Sequence, residues 1–166
     1  MDWLKQALPE AIGGLIVVLI VSFVGWLWRR SRQVLRFSDR KVLITKPRHN
    51  DKVLRKIVCE GTYPKHLENA DFWIVVVPFN LPNYHPQPGP VAKSKNGKWQ
   101  GISYIGSSDQ QNIVETFTIN IIQTTPEATE AFQKYLQDGA ITKQWYGLDA
   151  LPQGCTMQDS VTVIRK

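Results

Sequence analysis

FWIVVV, residues 72–77, sets six apolar side chains in a row, four of them β-branched. A strand sends alternate side chains to opposite faces, so a run like this must be covered on both sides, as a central strand of stacked sheets is. Outward from it the chain breaks into brief extended runs punctuated by Pro, Gly and Asn. On the N-terminal side lie 42–45, stopped by Pro47, and 54–62 (LRKIVCEGT), which ends near Pro64. On the C-terminal side, 91–94 precedes the hairpin signal Asn96-Gly97, and 98–105 (KWQGISYI) follows it. After a turn through 106–112 come 114–123 (VETFTINIIQ), with Phe117, Ile119 and Ile121 on one face, and the final 160–165 (SVTVIR).

One helix interrupts these strands, between the sixth and the seventh. Thr125 is a good N-cap, Pro126 suits the first helical position, and Ala128, Ala131, Phe132, Tyr135 and Leu136 make an apolar stripe. Gly139 is placed to end it. About seven short strands with one inserted helix predict a mainly β fold over residues 41–166. The simplest arrangement is an antiparallel β-sandwich of immunoglobulin-like or fibronectin-III-like type.

The N-terminal part reads differently. Residues 11–28 (AIGGLIVVLIVSFVGWLW) carry no charge, and Arg29, Arg30 and Arg32 follow at once. As a helix this segment would extend roughly 27 Å, close to the hydrocarbon thickness of a bilayer. A cleaved signal peptide would place its basic cluster before the run and small residues after it; here only Lys5 precedes, and Trp26-Leu27-Trp28 ends the run. Residues 1–28 are therefore expected to hold a single transmembrane helix and 29–40 a basic juxtamembrane linker. Arg29, Arg30, Arg32, Arg36, Arg40 and Lys41 outweigh Asp39 on that flank. Positive flanks stay cytoplasmic, so the expectation is an inner-membrane protein with its C-terminal domain in the cytoplasm.

The net charge of +6 is unevenly spread. Residues 29–66 hold twelve Lys/Arg against three acids, whereas 67–166 hold seven against nine. Juxtamembrane cations attract anionic headgroups at about 1 kcal/mol each. Arg29, Arg30, Arg32, Arg36, Lys46, Arg48 and Lys52 are thus candidates for contact with anionic lipid or an anionic ligand. No groove-reading module accompanies these charges and aromatic interleaving is sparse, which disfavours nucleic acid.

The segments VCEGTY (58–63), FWIVVVP (72–78), Gly89-Pro90, NGKW (96–99) and DSVTVIRK (159–166) give an order of features that resembles bacterial immunoglobulin-like and fibronectin-III-like domains attached to an N-terminal membrane anchor. The resemblance covers most of residues 42–166 and rests on motifs of modest specificity. It implies a module that binds or spaces other components, without catalysis. Cys59 and Trp73 match the first two members of the antibody Cys–Trp–Cys signature, but Cys155 precedes the last strand and no cysteine lies on 114–123. No inter-sheet disulfide is predicted.

Little in the chain suggests chemistry. GxSxG, Walker A and HExxH sequences are absent, and the acids are scattered. His49, His66 and His85 are too widely spaced for a metal site, and Cys59 alternates with Ile57 and Gly61 towards a core. Neither catalytic residue nor cofactor nor metal is expected. The distinctive surface element is 80–90 (NLPNYHPQPGP), stiffened by four prolines with Tyr84 and His85 at its centre. With Tyr63 and Trp99 nearby it would form a platform for a protein partner. QWYGL (144–148) is read as an aromatic clasp over the helix. The partners this reading admits are the bilayer, a protein, a small anionic ligand such as a nucleotide, and a second copy of the chain.

Overall fold

A computed structural model describes residues 41–107 and 115–166. The expected transmembrane segment 11–28, the linker 29–40 with Arg29, Arg30, Arg32 and Arg36, and most of the turn at 106–112 lie outside the described residues. Among the described residues, no helix is long and apolar enough to cross a membrane.

The fold is mainly β, with two sheets and one long helix. Among the described residues nine strands follow in chain order: β1 (Leu43–Lys46), β2 (Lys52–Val53), β3 (Lys56–Thr62), β4 (Asp71–Pro78), β5 (His85–Pro86), β6 (Ala92–Ser94), β7 (Lys98–Tyr104), β8 (Glu115–Thr124) and β9 (Cys155–Arg165). Helix α1 (Pro126–Thr142) joins the last two. The four-stranded sheet has the order β1-β3-β7-β6, and the five-stranded sheet the order β2-β9-β8-β4-β5. Neighbours pair antiparallel except β2, which runs parallel to β9.

Strand β4 explains its own composition. Phe72, Ile74 and Val76 point into a core shared by both sheets, where they meet Cys59 and Trp99 from one sheet and Phe117, Ile119, Ile121, Val161 and Val163 from the other. The alternate residues Trp73 and Val75 point the opposite way, into a second cluster with Ile122 and Phe132. The run is apolar throughout because a sheet covers one face and α1 the other. Cys59 and Cys155 belong to these two separate layers, one buried in the shared core and one packed against the helix-side cluster, and both are free thiols.

Several boundaries depart from the sequence reading. The final strand begins at Cys155, five residues before 160, because its first half pairs with Ile122–Thr124 across a bulge. Two strands of two residues each, β2 and β5, escape periodicity altogether. Pro86 is tolerated in β5 because that strand lies at a sheet edge, where a missing N–H costs no ladder bond. Thr125 does cap α1, accepting a hydrogen bond from Ala128 N at 3.4 Å, and Pro126 opens the helix. Gly139 does not end it. The helix runs on to Thr142 and stops at Lys143, whose φ of 58° turns the chain away.

Candidate functional site

The residues after α1 build the most developed surface feature among those described. Trp145 folds back so that its indole lies against Gly139, where a Cβ would come within 2.5 Å of the ring. This contact, and not helix termination, is what requires glycine at that position. The indole also meets Tyr135 edge-on, with ring centroids 6.2 Å apart. Trp145 is thus a clasp on the helix, whereas Tyr146 beside it is 74% exposed.

The next residues reach the Pro-rich loop. Leu148 and Tyr84 exchange two backbone hydrogen bonds of 2.8 Å each. Gly147 fits against Asn83 and His85, where any side chain would collide with the imidazole. The Tyr135 hydroxyl lies 3.4 Å from His85 Nδ1. Helix α1 and the segment after it form one groove of about 390 Å³, walled by Tyr135, Gly139, Tyr146 and Leu148; loop 80–90 meets the same two elements through Tyr84 and His85. At the groove's rim Lys134 and Asp138 form an ion pair of 2.7 Å. Burial lowers the pKa of His85 and raises that of Tyr135, so both stay uncharged near neutral pH. The groove sets the Tyr135 and Tyr146 rings and Leu148 beside the Lys134–Asp138 ion pair, a mainly apolar lining that takes an apolar or aromatic side chain of a partner.

The four residues expected to form a partner platform are not brought together. Tyr84 and His85 contact two of the groove's walls, Leu148 and Tyr135, without lining it. Tyr63 and Trp99 are core residues, 6% and 2% exposed. The Tyr63 hydroxyl donates to Ser94 O at 2.8 Å, and its ring packs against Phe72 at 6.0 Å. Trp99 fills a slot that Gly61 leaves open on β3, so its indole faces the opposite sheet and not solvent. Tyr135, which reads in sequence only as part of a helix stripe, takes their place beside His85.

Of the cationic candidates within the described residues, Lys46 is exposed and pairs with Glu60 at 3.0 Å. Arg48 and Lys52 are exposed around the turn into β2, where Arg48 N donates to Asp51 Oδ2. A separate open cleft of about 340 Å³ lies between the segment after β3 and the β6–β7 hairpin, with Lys65, Glu68, Lys95 and Asn96 along it. The Thr62 hydroxyl at this cleft is buried and has no hydrogen-bond partner.

Burial pushes the Cys59 thiol up to about 12, which leaves it protonated and unreactive at neutral pH. No group of three or more His, Cys, Asp or Glu side chains among the described residues could hold a metal ion. Compared with known proteins, the chain matches no family, no curated protein and no solved structure.

Proposed function

We propose that this chain is a single-pass membrane-anchored binding module whose immunoglobulin-like β-sandwich recruits a protein partner on the cytoplasmic side of a bacterial inner membrane. The anchor rests on the uncharged stretch 11–28 and the arginines that follow it. Strand order supports the immunoglobulin-like reading. One sheet carries the first, second, fifth and fourth major strands; the other carries the last two beside β4 and β5, with the short β2 parallel to the final strand. On that reading α1 is an insertion between the last two strands.

The observation that carries the recruiting role is the groove walled by Tyr146, 74% exposed, with Trp145, 51% exposed, next to it in the chain. Solvated aromatics beside a mainly apolar cavity are the composition of interface hot spots. The test is a photo-crosslinking residue at Tyr146 in the full-length chain, in intact cells, with the exposed Glu130 as control position. A discrete adduct from position 146 that disappears in Leu148→Asp supports recruitment; no adduct sinks it. Carbonate extraction of the same membranes, and accessibility of a tag on Lys166, test the anchor and its orientation.

A second reading, a membrane effector that senses a small anionic ligand such as a nucleotide and clusters its helices, draws on the lysine-lined cleft and the unpartnered Thr62 hydroxyl within it. A nucleotide-specific rise in melting temperature of the full-length chain, abolished by Lys65→Glu with Lys95→Glu, would favour it over recruitment.

A further inference from the structure

The outer face of the four-stranded sheet carries apolar side chains in open solvent. Val58 and Ile102 stand directly opposite each other in the β3–β7 register, at 54% and 42% exposure. Around them, Lys56 is opposite Tyr104 and Glu60 is opposite Gln100. The Lys56 ammonium lies over the Tyr104 ring, 5.8 Å from its centroid. The outward row of β3 thus reads cation, apolar, anion, at even two-residue spacing about Val58.

A row of that kind is complementary to its own reversal. Take a two-fold axis between two facing sheets, crossing the strands at the Val58–Ile102 pair. It sets Val58 over Val58 and Ile102 over Ile102, and brings Lys56 of each copy onto Glu60 of the other. The Lys46 ammonium engages Glu60 Oε2 within the chain, which leaves Oε1 for the incoming cation. The result has an apolar centre and a charged rim, and the Lys56–Glu60 pair forms twice by symmetry.

We infer that this face docks onto the same face of a second copy of the chain, with the strands of the two β3 segments reversed. The interface is separate from the groove and does not depend on it. The test uses the full-length chain in membranes with Val58→Cys, since wild-type Cys59 is buried and Cys155 packs beneath α1. Facing sheets lie about 10 Å apart, beyond the reach of a direct disulfide. A short bismaleimide is therefore expected to link the two copies through residue 58, while Glu130→Cys, on the exposed side of α1, stays unlinked. Lys56→Glu and Glu60→Lys, each added alone to Val58→Cys, set like charges together and should reduce linkage several-fold. Co-expressed with different tags, the two variants regain both ion pairs, so the mixed dimer should return to the level of Val58→Cys alone. Failure of Val58→Cys to link, or a mixed dimer no more abundant than the homodimers of either swap, overturns the proposal.

Discussion

On one side of the molecule Trp73, Val75 and Ile122 point out of the five-stranded sheet and meet Phe132 of α1; on the other, Val58 and Ile102 point out of the four-stranded sheet and remain exposed. Both faces began as strands with outward apolar residues. They differ in what lies between those residues. The covered face is continuous and holds a tryptophan, too much apolar surface to leave in water, and the chain supplies its own cover in the α1 insertion. The bare face interleaves its two aliphatic residues with Lys56, Glu60 and Gln100, which keeps it soluble and available. One face serves stability and the other association, and substitutions should separate the two.

The largest effect is expected from Phe132→Ala, which removes a fully buried ring lying 5.3 Å from Trp73. Loss of such a ring costs about 3–5 kcal/mol, read as a lower urea midpoint of the full-length chain. A loss under about 1 kcal/mol would mean that the cover contributes little and that the contrast between the faces is mistaken. Thr125→Ala should follow, at about 0.5–1 kcal/mol by the same measurement, because its cap hydrogen bond is long at 3.4 Å.

A smaller change should come with pH. Burial depresses the pKa of His85 below 6.5, so its contribution is fully present above pH 6.5 and is lost as pH falls through the lowered value. Melting curves between pH 7.5 and pH 5 should show His85→Phe losing this slope while the bare-face variants keep it. Smallest of all, Val58→Ala should alter stability by no more than about 0.5 kcal/mol, since the side chain is already half in water. A larger loss would show that the bare face is packed after all.

Local patterns carried much of this fold. The double-sided apolar run of β4, the alternation of Phe117, Ile119 and Ile121, and the Thr125-Pro126 start of α1 are all legible because near neighbours decide them. What was not legible depends on distant contacts. Gly139 reads as a helix stop, yet its role is set by an indole six residues further on, beyond the end of the helix. Tyr63 and Trp99, flanking turns, read as surface aromatics until Gly61 is seen to open the core to the indole. The junction of loop 80–90 with the segment after α1 was visible in halves, Tyr84-His85 and Trp145-Tyr146. The bridge that joins them spans more than sixty residues, and no periodicity encodes it. The bare face was half legible: the inward alternation of Ile57, Cys59 and Gly61 leaves Val58 outward, but that Ile102 stands opposite it depends on the β3–β7 register.

Strand β2 runs alongside β9 in the same direction, held by Asn50 N to Thr162 O, Ile164 N to Asp51 O and Lys166 N to Val53 O. The upstream end of one strand and the downstream end of the other therefore leave in opposite directions. A tug between Lys41 and Lys166 loads that seam lengthwise, so its bonds must give way together instead of unzipping one at a time. A chain gripped at both ends would yield there only at high force.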